Sequence, residues 1–193
     1  MADSSPHNEF EIIKRFRSND VEAFSGIFRR YYEPLCFFAG RYLHDIQVAE
    51  GIVQDVFVRL WESRETLSIQ SSLRSYLYAS VRNACLNYIK RENFTVSLDH
   101  EEPRSDTVVV PPDIQLESTE LAEALEKAVN ALAPRCRQIF CMAKYDDLSY
   151  QEIAEILDVS MNTVKTQLKR ALKSLSRSMQ HFQMLMLFLR IWL

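Results

Sequence analysis

Apolar residues recur every three or four positions through most of the chain, and this spacing predicts amphipathic helices. Before residue 94 the pattern predicts four helices, of which the second has Asp20 as its N-cap and is kinked at Pro34. Alternating runs typical of strands are scarce, and the one β-branched run, Thr107–Val110, ends at two prolines. The sequence therefore predicts an all-α fold.

Two capped helices joined by a tight turn are predicted in the last third of the chain. Ser149 and Glu152 have the spacing of a capping box, and Ser160 is placed to cap the second helix. Asp158 begins the interruption between the two helices. This order is that of a helix-turn-helix, in which the second helix enters the major groove of DNA. The apolar face predicted for that second helix consists of Val164, Leu168, Leu172 and Leu175.

The opposite face of this second helix is polar and basic. Residues 160–180 contain five lysines and arginines and no acid, although the whole chain has a net charge of −3. A solvated amphipathic helix would carry a similar stripe. The two caps favour a DNA-reading helix, because amides, hydroxyls and long cations suit the major groove. The predicted DNA-facing residues are Asn162, Lys165, Thr166, Lys169, Arg170 and Lys173.

The fourth helix is predicted to have an outward face that mixes cations, amides and an aromatic ring. Such a face suits single-stranded or melted DNA, because rings stack on bases while cations follow phosphates. A solvated helix face is the alternative that these residues leave open. The predicted outward residues are Arg74, Tyr78, Arg82, Asn83, Asn87, Lys90 and Arg91.

Composition excludes several classes of protein. The chain is 47% apolar and 25% charged, which is typical of soluble globular proteins. With only three glycines, it has no glycine-rich phosphate-binding loop. Enzymes that bind nucleotides through such a loop are therefore excluded. Its four cysteines have no CxxC spacing and its four histidines are scattered, which predicts reduced core cysteines, no metal and no cofactor. No catalytic set of acid, base or nucleophile is found.

Charge and proline content divide the chain into segments. Residues 94–118 contain three prolines and no helical period, and residues 97–120 hold seven acids against one arginine, which predicts a flexible acidic linker. The predicted domains are therefore residues 10–93 and 119–178. Residues 179–193 form an apolar C-terminal tail, too short to span a membrane and predicted to pack against the chain or a partner. The first residues do not resemble a signal peptide, which predicts a cytoplasmic protein.

The order of three segments resembles the extracytoplasmic-function (ECF) subfamily of the sigma-70 family of bacterial RNA polymerase sigma factors. The segments are Glu50–Glu62, Ser72–Asn83 and Leu148–Leu157. The resemblance implies two helical domains, sigma region 2 and sigma region 4, and a non-enzymatic transcription initiation factor. It implies core RNA polymerase and promoter DNA as partners, with a membrane-anchored anti-sigma factor as a further candidate and no small-molecule substrate.

The resemblance also assigns roles to individual residues. It implies that the second helix of the helix-turn-helix reads the −35 promoter element through the six residues named above. Two departures from the family pattern are Gly51, where an acid is usual, and Asp147, where a turn glycine is frequent. Asp147 tolerates the left-handed backbone of such a turn. Core-polymerase contacts are expected from Gln54, Asp55 and Arg59, and contacts to the −10 element from Tyr78, Arg82, Asn83, Asn87 and Lys90.

A classical helix-turn-helix regulator with a helical N-terminal regulatory domain is the alternative function. Its DNA-binding half would look much like residues 121–178. Gln54, Asp55 and the helix Ser72–Asn83 discriminate the two functions, because a regulator of that kind has no need to match them.

Overall fold

The computed structural model describes residues 6–43, 45–69, 72–96 and 120–178. Within these ranges the chain forms eight α-helices and no strand, so the all-α prediction is confirmed. Residues 97–118 of the predicted linker and the apolar tail lie outside the described residues, whereas residues 94–96, which were assigned to the linker, are the last residues of α4. The helices are α1 (Pro6–Arg17), α2 (Val21–Gly40), α3 (Ile46–Glu62), α4 (Leu73–Val96), α5 (Glu120–Asn130), α6 (Pro134–Lys144), α7 (Tyr150–Leu157) and α8 (Met161–Ser178).

The helices fall into two compact units. The first contains α1–α4, and the second contains α5, α6, α8 and the start of α7. The domain limits 10–93 and 119–178 stay predictions.

In the first unit α2 packs on α3, and α4 packs on both. Asp20 caps α2 as predicted, because its Oδ1 accepts the N–H groups of Glu22 and Ala23 at 2.9 and 3.1 Å. The helix continues through Pro34 to Gly40. An aromatic cluster fills the space between α1, α2 and α3, with centroid distances of 4.9 Å for the Phe24–Trp61 and Phe28–Phe57 pairs.

In the second unit α8 packs on α6 and α5. Pro134 is the first residue of α6, a position where a backbone N–H has no partner within the helix, so proline costs no hydrogen bond there. Arg137 is buried in α6 and donates from its guanidinium to the carbonyl oxygen of Asn130 at 3.0 Å. This contact satisfies a carbonyl at the end of α5.

The cysteines occupy the interiors of the two units. Cys36, Cys85, Cys136 and Cys141 are all free and buried, as their apolar surroundings in the sequence predict. Burial raises the pKa of Cys85 to about 12 and also raises the pKa of Cys36. Neither thiol is therefore activated as a nucleophile.

Candidate nucleic-acid interface

The capping box at the start of α7 has the predicted geometry. The backbone N–H of Ser149 donates to Glu152 Oε2 at 2.8 Å, and the N–H of Glu152 donates to Ser149 Oγ at 3.2 Å. Asp147 has a φ of 49°, so an aspartate does occupy the left-handed position of this turn. Asp158 has a φ of 51° and ends α7 in the same way.

Ser160 fixes the start of α8. Its Oγ accepts the backbone N–H of Thr163 at 3.1 Å and lies 2.9 Å from Thr163 Oγ1. Three residues, Asp158 to Ser160, separate α7 from α8. Both helices of the predicted helix-turn-helix are thus capped by the residues that the sequence indicated.

One residue of the apolar face of α8 was predicted wrongly. Leu172 is 47% exposed, and Ala171 is buried in its place, together with the predicted Val164, Leu168 and Leu175. At about 100° per residue, position 171 lies nearer than position 172 to the centre of the stripe formed by the other three. Helical geometry therefore outweighs the greater hydrophobicity of leucine.

The six predicted −35 residues share the exposed side of α8, opposite its buried stripe. We call this set the α8 surface. Its four cations form no ion pair with a described residue, so their charges are available to an external anion. The α8 surface consists of Asn162, Lys165, Thr166, Lys169, Arg170 and Lys173, all exposed.

The outward placement of Tyr78 was predicted wrongly. Its side chain is only 2% exposed, and its ring packs edge-on against Phe38 with a centroid distance of 4.9 Å. Because α4 packs against both α2 and α3, its buried side is wider than the narrow stripe that the sequence suggested. A buried ring cannot stack on a DNA base, so Tyr78 is removed from the predicted −10 contacts.

The other predicted −10 residues remain at the surface of α4. We call Arg82, Asn83, Asn87 and Lys90 the α4 surface. The last three are exposed, whereas Arg82 is partly buried. The guanidinium of Arg82 donates to Asn83 Oδ1 at 3.3 Å, while its Nε is buried without a hydrogen-bond partner. Arg82 therefore helps to orient Asn83.

The segment between α3 and α4 is held by residues that the sequence analysis missed. Arg64 donates to Asn19 Oδ1 at 3.0 Å and to the Trp61 carbonyl at 2.8 Å, with its guanidinium 4.6 Å from the Trp61 ring centroid. Arg17 donates to the carbonyl of Leu67, whose side chain is buried. Asn19 has a φ of 66°, and an asparagine directly before the cap residue of a helix could have indicated such a turn. Its hydrogen-bond partner Arg64 lies 45 residues away in the sequence and could not be predicted.

The start of α4 is positioned by two further contacts. Ser72 Oγ accepts the backbone N–H of Ser75 at 3.0 Å, which is the geometry of an N-cap. The carboxylate of Glu9 on α1 accepts the backbone N–H of Leu73. A carboxylate at a helix N-terminus is electrostatically favourable, so α1 stabilises the beginning of α4.

The three predicted core-polymerase residues lie on the outer face of α3. Gln54, Asp55 and Arg59 are all exposed, and the Gln54 side-chain amide donates to the Tyr32 hydroxyl at 3.1 Å. Val58 is 54% exposed on the same face. Apart from its chain neighbours and the nearby backbone of α3, a Cβ built on Gly51 would meet no atom within 4 Å.

Comparison with known proteins decides the family. The model of Sigma-70 region 2 matches residues 27–95, and that of Sigma-70, region 4 matches residues 122–175. The chain belongs to the ECF subfamily of the sigma-70 family. It is a promoter-directing transcription initiation factor, and the region 2 match favours this function over a classical helix-turn-helix regulator with a helical N-terminal regulatory domain.

Relatives of this sigma factor match along most of their length. RNA polymerase sigma factor YlaC of Bacillus subtilis is 27% identical, covering 82% of this chain and 92% of the relative. The ECF RNA polymerase sigma factor SigW of the same organism is 25% identical, covering 87% and 95%. The solved structure of the sigma factor RpoE bound to the anti-sigma factor NepR from Bartonella quintana shares the fold, with 23% identity, a TM-score of 0.62 and coverage of 81% and 96%.

Two further properties concern metals and membranes. No cluster of three or more His, Cys, Asp or Glu side chains suited to a metal occurs within residues 6–43, 45–69, 72–96 and 120–178. In the same part of the chain, every helix is too short or too polar to cross a membrane. The expected lack of a metal or cofactor stays a prediction for the whole chain.

Proposed function

We propose that three exposed helix faces carry the three contacts of this sigma factor. The α8 surface contacts the −35 element, the α4 surface contacts the −10 element, and the outer face of α3 docks on core RNA polymerase. The protein itself catalyses no reaction and acts in the cytoplasm.

The observation that carries this proposal is the α8 surface. A capped helix presents four cations, none of which pairs with an acid among the described residues, together with Asn162 and Thr166 on one side, while its other side is anchored in the core. Lysines and arginines neutralise phosphates, and arginine also pairs with guanine in the major groove. A helix with this exposed basic side is better suited to bind duplex DNA than to be buried in the core of a protein.

The α4 surface has a different chemistry. Asn83 and Asn87 are one helical turn apart and offer both donors and acceptors, while Lys90 supplies one exposed cation. Few phosphate contacts are available here, so binding relies more on hydrogen bonds to base edges. The segment held by Arg64 and Arg17 lies just before α4 and is suited to contact an unstacked base of the opened promoter.

The outer face of α3 supports docking because its exposed residues can change without emptying the core. Asp55 precedes the buried pair Val56 and Phe57 along the chain and points outward. Its charge, the amide of Gln54 and the cation of Arg59 give a polar contact set around the exposed Val58. Apolar centres with polar rims are typical of protein interfaces.

An anti-sigma factor is a further proposed partner. The related RpoE structure contains the anti-sigma factor NepR, which supports a regulator of that class for this chain. Its attachment to a membrane stays a prediction from the family resemblance.

The proposed function is tested by transcription in vitro with purified core RNA polymerase. The wild-type chain is expected to direct initiation at one class of promoter, and Arg170→Ala is expected to reduce initiation while leaving polymerase association intact. Lys127→Ala, which removes an exposed cation from α5, is the matched control and is expected to behave like wild type. Failure of the wild-type chain to associate with core polymerase would contradict the proposal.

A further inference from the structure

Side chains from α1 and from the turn after it hold residues 63–69, which follow α3. The Arg17 guanidinium donates to the carbonyl oxygen of Leu67, and Asn19 Oδ1 accepts the Nε–H of Arg64 at 3.0 Å. These contacts join positions 50 and 45 residues apart in the sequence. The conformation of residues 63–69 therefore depends on a helix that is distant along the chain.

The same helix fixes the first turn of α4. Glu9 lies on α1 two turns before Arg17, about 12 Å away along the helix axis. The Glu9 carboxylate accepts the backbone N–H of Leu73, the first residue of α4, where a negative charge is electrostatically favourable. α1 thus holds residues 63–69 and the start of α4 in one arrangement.

The segment held in this way presents polar side chains on its outer side. Leu67 is only 6% exposed, whereas Glu65, Thr66 and Ser68 beside it are exposed. Burial fixes the Leu67 side chain, and the bond from Arg17 fixes its carbonyl oxygen. The hydroxyl groups on either side of Leu67 therefore have a defined position at the surface.

The two arginines of this arrangement bond to the protein itself. Arg64 donates to Asn19 and, at 2.8 Å, to the Trp61 carbonyl oxygen, and its side chain is only 20% exposed. Arg17 donates to the Leu67 carbonyl oxygen. Hydrogen bonds from a charged donor to a carbonyl oxygen are stronger than those between neutral groups, so they restrain the backbone that they hold.

We propose that Arg17, Asn19 and Glu9 are positioning residues for promoter opening. Without contacting DNA themselves, they hold residues 63–69 and the start of α4 in the arrangement that receives an unstacked base of the −10 element. This inference rests on the proposed contact of α4 with that element. Capture of a base has to offset the cost of unstacking it, and a receiving segment that is already ordered loses less conformational entropy on binding.

Promoter opening by the complex of full-length chain and core RNA polymerase tests the proposal. Arg17→Ala is expected to reduce the equilibrium constant for opening about tenfold, as the loss of one hydrogen bond from a charged donor predicts. Permanganate reactivity of unpaired thymines in the −10 element measures opening. Lys14→Ala removes an exposed cation from the same helix and is the matched control, expected to open the promoter like wild type. Wild-type opening by Arg17→Ala would overturn the proposal.

Salt dependence distinguishes positioning from a direct contact with phosphate. Removing a phosphate-bound arginine lowers the slope of log affinity against log salt by about 0.9. Arg17→Ala is expected to leave that slope unchanged, because Arg17 donates to a carbonyl oxygen of the protein. A lower slope would identify Arg17 as a DNA contact, and a loss of affinity for core polymerase would identify a general structural role. Either result would overturn the proposal.

Asn19 allows a test in which the backbone conformation is kept. Its φ of 66° is favourable for glycine, so Asn19→Gly removes the acceptor for Arg64 without straining the turn. This variant is expected to open the promoter less than wild type. Asn19→Asp keeps an acceptor oxygen and is expected to restore opening. Equal defects in the two variants would contradict a role for the contact with Arg64.

Asn87→Ala separates failure of this inference from failure of the proposed −10 contact. If Asn87→Ala relaxes sequence selection in the −10 element while Arg17→Ala and Asn19→Gly open the promoter like wild type, the contact of α4 stands and the positioning role is overturned. If Asn87→Ala leaves −10 selection unchanged, the proposed contact itself is overturned and this inference with it.

Discussion

The surfaces of α4 and α8 are both assigned to promoter DNA, yet they are built differently. α8 packs on one side only, so its apolar and polar residues are sharply separated around the helix. α4 packs on both α2 and α3, and its apolar residues are spread almost evenly around the helix axis. The sequence therefore predicts the exposed side of α8 well and that of α4 poorly.

The two surfaces also differ in charge. The α8 surface has four exposed cations among six residues, whereas the α4 surface has one exposed cation and the partly buried Arg82. We expect α8 to bind duplex DNA with a strong dependence on salt. The amides of α4 should depend more on the identity of the bases.

The largest expected effect is on the stability of the first unit, which contains α4. Tyr78→Ala removes a buried ring and should lower the free energy of unfolding by about 3 kcal/mol or more, as for other large aromatic deletions in cores. Denaturant unfolding measures the change. Phe10→Ala is the control, because Phe10 is 69% exposed and should alter stability by no more than about 0.5 kcal/mol. If both substitutions changed the free energy of unfolding by similarly small amounts, Tyr78 would not be a core residue and would again be a candidate DNA contact.

The next effect concerns the cations of the α8 surface. Arg170→Ala and Lys165→Ala should each reduce promoter use, by about 1–3 kcal/mol where the lost contact is a bidentate pair with a base. Initiation rates on a fixed promoter measure this loss. Association with core polymerase should be retained, and its disappearance would instead identify α8 as a protein interface.

The difference in charge predicts a difference in salt dependence. Removing one phosphate-bound lysine, as in Lys169→Ala, should reduce the slope of log affinity against log salt by about 0.9. Asn87→Ala should lower affinity without changing that slope, because an amide releases no counterion. The slopes are measured for polymerase holoenzyme on promoter DNA between low and moderate salt. Equal slopes for the two variants would remove the proposed distinction between the surfaces.

The smallest effect concerns the caps that support the two surfaces. Ser160 caps α8 without charge, whereas Asp20 caps α2, on which α4 packs. Hydrogen bonding from the Ala23 N–H, followed by Arg15, lowers the pKa of Asp20 below its ordinary value. Ionised Asp20 thus stabilises the fold above its unfolded pKa, and this contribution is lost as pH falls through the lower folded pKa.

Asp20→Asn isolates that contribution, because asparagine can also cap a helix but does not titrate. Near neutral pH the wild type should melt at a slightly higher temperature than Asp20→Asn. The difference should shrink below about pH 4. A difference that stays constant down to pH 2 would show that the charge of Asp20 contributes nothing.

Features that depend on residues close in the sequence were predicted correctly, whereas features that depend on packing between distant segments were not. The caps Ser149, Ser160 and Asp20 were predicted because they act within three residues of their own position. Tyr78 and Leu172 were misplaced because their burial depends on how wide a face the neighbouring helices cover. The contact between Arg64 and Asn19 joins residues 45 positions apart, and no local pattern encodes it.

Gly51 shows the same limit. A glycine inside a helix lowers the intrinsic stability of that helix. In the structure α3 packs on both α2 and α4, and this packing holds the helix together despite the glycine. The support comes from residues distant in the sequence, so no local pattern around Gly51 encodes it.

The most direct test of the division between α4 and α8 is transcription in vitro from a promoter library in which the −10 and −35 elements are randomised separately. With wild-type chain and core polymerase, initiation should select defined sequences in both elements. Arg170→Ala should relax selection in the −35 element alone, and Asn87→Ala should relax it in the −10 element alone. Relaxation of the opposite element by either variant, or of both elements equally, would contradict the assignment of the two surfaces.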